Sequence, residues 1–434
     1  MAYSCRWAPD SGVTYIARKL GVSHTYIQKL RGEFAANPTA MLEKASRLVR
    51  LPGGAMVSAN GRMLLPEYRQ YTTFEELAQA QRQTLKMAGQ GLLRGLYPEL
   101  SGAKRIYISP DGALNEIPLG ILQSADGRRA IEKYDIRTVL STRDLLRPSH
   151  GAATDTAILI GNPRFLLSDE AQRKEMNRLR GPDNQGQSIT IAAVPPSDVA
   201  GDVLSRDARE RGPCSQPPPP DGILCPLPGT ATEVQAIGEL LRGKNWLVST
   251  YQGEQTLEEV VTSAVHPRLL HVATHGFFLS DQDGRRGESL TAQTLGFEDP
   301  MLRSGLFFAG ADRTLKSQPP IEGVESGVLT AYEATTLNLL GTELVVLSAC
   351  ETGLGEVKNG EGVFGLRRGL QESGADSVLM SLWSVPDRET QELMTTFYEN
   401  WLNGMEKPEA HRLAQIKERD VVKRRYGRDL PYAW

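Results

Sequence analysis

From Gly229 onward the sequence alternates two patterns, and this alternation constrains the fold more than any other feature. Short, almost wholly apolar runs such as RLLHVA and ELVVLSA are separated by amphipathic segments of helical period. A strand that reads as an unbroken apolar run is buried on both faces, and an intervening helix returns the chain for a parallel pairing. ATEVQAIGELLRG places Val234, Ile237, Leu240 and Leu241 on one helical face, and NWLVSTY reads as a strand. TLEEVVTSAV opens at Thr256 with Glu259 three residues on, the pattern of a capping box. GVLTAYEATTLNL reads as a helix, VFGLRRGLQESG as a helix ending at Gly374, and SVLMSLWSV as a strand. RETQELMTTFYENWLNGM closes the series with Met394, Phe397, Tyr398, Trp401 and Met405 on one stripe. The expectation is an α/β fold with a mostly parallel sheet covered on both faces.

The 434 residues divide further by composition. Residues 1–50 carry eight Lys/Arg against three Asp/Glu, a basic segment in a chain of net charge −3. Residues 65–165 read as α/β, with a long amphipathic helix followed by the β-like runs RIYIS, DIRTVL and AILIGN. Across 166–228 periodicity collapses into Pro/Gly-rich sequence that includes Pro217 to Pro220, and a flexible insert is expected there. Residues 229–434 form the last zone. No run approaches the about 20 apolar residues of a membrane span, and the N-terminus lacks the plan of a signal peptide. Only four cysteines occur, Cys5, Cys214, Cys225 and Cys350, too few for a disulfide scaffold, so a cytoplasmic setting with free thiols is expected.

In parallel α/β sheets, reacting groups gather beyond the carboxyl ends of the strands. His275 follows RLLHVAT, and Cys350 follows ELVVLSA. If their strands are neighbours, both residues leave the same edge, where an imidazole can take the thiol proton. Gly276 would let backbone approach a substrate carbonyl, and its N–H together with that of Cys350 would hold an oxyanion. The residues alone leave the alternative open that Cys350 is a small apolar filler at the edge of a core. His271, inside the apolar run, reads as structural. Asp387 offers a carboxylate to a basic substrate side chain or caps the following helix, and Glu351 and Glu361 are similarly undecided.

HVATHGFF, followed by LTAYEATTLNLLGTELVVLSACETGLGEVKNGEGVFGLRRGLQESGADSVLMSLWSVPD, closely resembles the CHAT domain. This is a caspase-like and separase-like cysteine peptidase family of clan CD. RIYISPDGALNEIPLGIL and LPGTATEVQAIGELL resemble it too, so the likeness covers roughly residues 65–434. The resemblance implies a caspase-like αβα sandwich at 229–434, preceded by a degenerate, non-catalytic caspase-like unit at 65–165. It also implies a cysteine endopeptidase with His275 as general base, Cys350 as nucleophile, and the N–H groups of Gly276 and Cys350 as oxyanion hole. A catalytically silent signalling scaffold is the alternative. Members commonly carry tetratricopeptide repeats that sense a partner; none is visible in this chain, and an activating partner protein is expected beside the protein or peptide substrate. Similar domains run on into one more apolar strand beyond DLPYAW.

VTYIARKLGVSHTYIQKL, within residues 13–31, has the spacing of a helix-turn-helix. Its second helix would present Ser23, His24, Thr25, Tyr26, Gln28 and Lys29 to a major groove, making DNA a possible partner and a DNA-bound regulator a further alternative. Cys214 and Cys225 lie in a linker without a nearby histidine, so neither a metal nor a cofactor is expected.

Overall fold

The structure, a computed structural model, describes residues 56–57, 63–65, 100, 102–110, 118–122, 128–146, 155–180, 223–278, 300–349, 356–358, 362–382, 387–427 and 434. The chain divides into two compact units: Met1–Thr142 with Asn359–Gly362 and Lys423–Pro431, and Arg143–Lys358 with Val363–Val422 and Tyr432–Trp434.

In the first unit, strands β1 (Arg105–Ile108) and β2 (Asp135–Thr138) pair in parallel. Asp135 joins them by accepting from Arg105 at 2.7 Å and from Arg137 at 2.9 Å. Leu122, Ala130 and Tyr134 pack into a small core beside them.

The second unit holds a five-stranded parallel sheet. Its strands are β3 (Thr156–Pro163), β4 (Leu247–Gly253), β5 (Leu269–Ala273), β9 (Leu344–Ser348) and β10 (Val378–Met380), in the spatial order β10-β9-β5-β3-β4. A three-stranded antiparallel sheet, β6 (Gly276–Phe278), β7 (Ser304–Phe307) and β8 (Val328–Thr330), lies in the order β8-β7-β6. Period-two alternation assigns the parallel sheet's two faces. Leu269, Ala273, Leu344 and Val346 pack with helix α2 (Pro228–Arg242) and helix α4 (Asp387–Leu402) through Val234, Ile237, Leu241, Phe397, Tyr398 and Trp401. Leu270, Val272, Val345 and Leu347 face the other way, against Leu366 and Leu370 of helix α3 (Leu366–Glu372) and Leu306, Phe308 and Leu329. Helix α5 (Lys407–Tyr426) adds Ala410 and Ala414 to the first face. The result is the αβα sandwich that the alternation of strands and helices implies.

Several local expectations are corrected. AILIGN, grouped by sequence with the first α/β segment, supplies β3 at the heart of the second unit's sheet, between β5 and β4. The stretch beginning at residue 166 opens with helix α1 (Asp169–Arg180), which buries Gln172, Glu175 and Met176; its inward side is largely polar, so hydropathy does not reveal it. Thr256 makes no capping box. Its hydroxyl donates to the Gly253 carbonyl, and the next helical turn starts at Glu259 with no side-chain cap. GVLTAYEATTLNL is strand β8 followed by a single turn, Ala331–Ala334, capped reciprocally by Thr330 and Glu333. Thr335 and Thr336 turn their hydroxyls onto the carbonyls of Tyr332 and Glu333, a local competition that accompanies the end of the helix there. In α4 the stripe Met394, Phe397, Tyr398 and Trp401 is buried, but Met405 lies past the helix end and is exposed.

Candidate active site

β5 and β9 are neighbours in parallel register, with Leu269 opposite Leu344 and Ala273 opposite Ser348. Both strands therefore point their carboxyl ends to one edge, and His275 and position 350 each fall two residues beyond the pair Ala273–Ser348. Cys350 itself lies outside the described residues, as do Glu351 and Glu361. Its approach is held from two sides. Ser348 Oγ donates to Glu233 Oε2 at 3.2 Å, and Ser381 Oγ donates to the carbonyl of Ala349.

His275 is fixed by backbone and ring together. Its carbonyl accepts from Phe307 N at 2.9 Å, and the preceding Thr274 hydroxyl donates to the Phe307 carbonyl. The ring lies 5.3 Å from that of Phe165, and Nε2 lies 2.9 Å from the carbonyl oxygen of Cys225. A carbonyl only accepts, so Nε2 carries the proton and, in the neutral ring, Nδ1 is the basic nitrogen. Gly276 opens β6 and stands opposite Leu306. Because the Phe307 N–H already spans to the His275 carbonyl, this is a non-hydrogen-bonded pair, and the Gly276 N–H is directed away from β7.

The segment that reaches His275 is itself anchored. Asp312, buried in the turn after β7, accepts from Ile223 N at 3.1 Å and from Leu224 N at 3.4 Å. Ile223, Leu224 and Leu227 pack on Phe165, Phe277 and Phe307. Burial raises the Asp312 carboxyl above its ordinary range, while these backbone donors and Lys316 pull it down. Cys225, expected from the low cysteine content to be a free thiol without a histidine neighbour, is disulfide-bonded and lies against His275.

Beneath the strand ends lies a buried polar group. His271 Nε2 is 3.1 Å from Glu233 Oε1, and His271 Nδ1 is 3.0 Å from the Tyr398 hydroxyl. Burial, then the nearby Glu233 carboxylate, holds the Tyr398 hydroxyl well above its ordinary value, so it stays neutral. Glu233 thus touches both β5, through His271, and β9, through Ser348. A carboxylate four residues before Ile237 on an otherwise apolar helical stripe was the available sign of this buried role. Nothing comparable in the sequence marked Asp312 or placed Cys225 beside His275.

Asp387 begins α4, and its side chain is outside the described set. Ser23, His24, Thr25, Tyr26, Gln28 and Lys29 also lie outside the described residues. Among the described residues no group of three or more His, Cys, Asp or Glu is arranged to hold a metal ion, and no helix is long and apolar enough to cross a membrane.

A parallel αβα sandwich, in which His275 and Cys350 follow the neighbouring strands β5 and β9 in sequence, fits a caspase-like α/β protein. The CHAT domain family model matches residues 73–434, and the chain belongs to that family. Among curated proteins it is similar to tetratricopeptide repeat protein 28 of Homo sapiens and of Mus musculus, at 28% identity over 187 residues in each case. That match covers 42% of this chain and 7% of each of those proteins' length.

Proposed function

We propose that this CHAT domain is a cysteine endopeptidase acting through a dyad of His275 and Cys350. The observation that supports the reading is the register of β5 on β9, in which Ala273 pairs with Ser348, the residues two before His275 and Cys350 in the sequence. Nδ1 of His275 takes the Cys350 thiol proton, and the thiolate attacks the scissile carbonyl of a protein substrate. The Cys225 carbonyl keeps the proton on Nε2, so the ring presents Nδ1 to the thiol and is stabilised when it becomes imidazolium. The N–H groups of Gly276 and Cys350 receive the developing oxyanion. The imidazolium then protonates the leaving amine, and water, deprotonated by the same ring, hydrolyses the acyl-enzyme.

Asp387, Glu351 and Glu361 are the proposed carboxylates for a basic substrate side chain. The similar curated proteins are named for tetratricopeptide repeats, and the match is a small part of them, which supports control of this domain by a protein partner.

Incubation with a proteome-derived peptide library, followed by mapping of the cleaved bonds, tests the dyad. Wild-type protein is expected to cleave, with its partner supplied if required, and Cys350→Ala and His275→Ala to lose about 10³-fold or more of that rate. Equal cleavage by wild type and Cys350→Ala would remove the nucleophile.

A further inference from the structure

We propose that Asp312 is a positioning residue for His275: with its carboxylate and its own backbone N–H it fixes the two groups that border the imidazole, and so sets the direction in which Nδ1 faces. The inference rests on the proposed function, in which His275 is the base.

Two neighbours border the ring, and neither lies on the strand that leads to it. The Cys225 carbonyl oxygen stands 2.9 Å from Nε2, and the Phe165 ring lies 5.3 Å from the imidazole. Asp312 reaches both. Its Oδ1 accepts from Ile223 N at 3.1 Å and from Leu224 N at 3.4 Å, the two residues directly before Cys225. Its Oδ2 lies 3.2 Å from the same Ile223 N. The Asp312 N–H donates to the Phe165 carbonyl at 3.2 Å, and the Gly310 N–H donates to the Arg164 carbonyl at 3.2 Å. Asp312 stands in the short helix Ala311–Leu315, just past β7, whose Phe307 N–H donates to the His275 carbonyl. One stretch of chain, 307–312, therefore holds the backbone of His275, the aromatic neighbour of its ring, and the segment that carries its acceptor.

Packing alone does not supply this. Ile223, Leu224 and Leu227 bury themselves on Phe165, Phe277 and Phe307, but apolar burial has no direction. The angle of the Cys225 carbonyl matters more closely, because a hydrogen bond weakens steeply as the donor, proton and acceptor bend out of line. Two consecutive N–H groups bound to one carboxylate oxygen fix the rotation of the chain, and with it the carbonyl that follows. The Asp312 residue is only 1% exposed, and burying a carboxylate carries a desolvation cost that its donors offset. An apolar side chain would fill the same place without that cost, so the polar group is explained by what it orients. A planar ring held at Nε2 and against one face presents Nδ1 in a single direction.

NMR of the full-length protein with isotope-labelled histidine tests this. In the wild type the His275 Nε2–H proton, assigned by its absence from His275→Gln, is expected as a slowly exchanging resonance. In Asp312→Ala it is expected to be lost to solvent exchange, while the ring signals of His271, buried in β5, stay in place. In Asp312→Asn, whose amide oxygen still accepts from both N–H groups, the resonance is expected to be retained, a rescue that general loss of stability does not produce. Absence of the resonance from the wild type, its survival in a folded Asp312→Ala, or its equal loss in Asp312→Asn would overturn the proposal. Displacement of the His271 signals along with it would do the same, since Asp312 would then support the sandwich rather than this ring. If Asp312→Ala does not fold, hydrogen exchange in the wild type decides. The amides of Ile223 and Leu224 are expected to be protected and to open together with the His275 Nε2–H, and exchange of both at the rate of an unstructured chain would overturn the proposal. No substrate enters the readout, so a protein that cleaves nothing can still lose the resonance in Asp312→Ala, and an active peptidase can keep it.

Discussion

Glu233 sits where three residues distant in sequence meet: His271 on β5, Ser348 on β9 and, through His271, Tyr398 on α4. All are shielded from water, so removing the carboxylate takes the acceptor from the buried Ser348 hydroxyl and leaves a gap beside the His271 ring. Glu233→Ala is expected to cost about 2–4 kcal/mol in denaturant unfolding, whereas Glu233→Gln, which still accepts from Ser348, costs less. Equal losses from the two substitutions would show that the packing of the side chain, rather than its hydrogen bonding, matters at this position. His271 was legible as structural from its place inside an apolar run. Its partners were not, because they lie on other elements.

At the scale of elements, the contact between β3 and α2 is unusually close. A Cβ on Gly161 would come within 2.6 Å of the Thr230 carbonyl and 2.9 Å of a Val234 methyl. The adjacent Asn162 N–H donates to the Thr230 hydroxyl at 2.7 Å, tying the strand to the first turn of α2. Gly161→Ala must push that helical turn away, an overpacking that costs about 1–3 kcal/mol. Because α2 carries Glu233 and directly follows the segment holding Cys225, the displacement is expected to lower the reactivity of Cys350 toward an alkylating probe as well as the melting temperature. A fall in stability with unchanged thiol reactivity would uncouple the helix from the site. The amphipathic period of α2 was plain in the sequence, with Val234, Ile237 and Leu241 all inward, but a period does not report how closely a helix approaches its sheet.

For the molecule as a whole, the partly buried His411 and the buried Glu258 shape the dependence of stability on pH with opposite sign. Burial lowers His411 from 6.5 to about 4. Its neutral form is favoured in the fold, so unfolding takes up a proton between these values; the stabilisation is complete above pH 6.5 and is lost as pH falls toward 4. Since His411 keeps some exposure, the loss is on the order of 1–2 kcal/mol. Glu258 behaves in reverse. Burial, then the neighbouring Glu333, Glu325 and Glu259, raise its carboxyl well above 4.5, so its contribution is present below that value and is lost as pH rises through the folded pKa. Chemical denaturation across pH is expected to show a smaller acid loss for His411→Gln. Glu258→Gln, whose oxygen still accepts from Val328 N and Ser326 Oγ, is expected to relieve the loss toward higher pH. Difference curves that stay flat for both variants would locate the pH dependence elsewhere.

Much of the local order in the second unit follows from the sequence: the apolar strands of the parallel sheet, the helices α2, α3 and α4, the two faces of each strand, and the position of His275 just past a strand end. These depend on neighbours a few residues away, through periods of 2 and 3.6 that any reader of the chain can count. Only the tertiary structure decided that β5 lies beside β9, that AILIGN enters the sheet between β5 and β4, and that Cys225 meets His275. Strand order and the docking of a loop are choices among pairings of similar local pattern, and they are made by contacts between residues far apart in the chain, which no local period encodes.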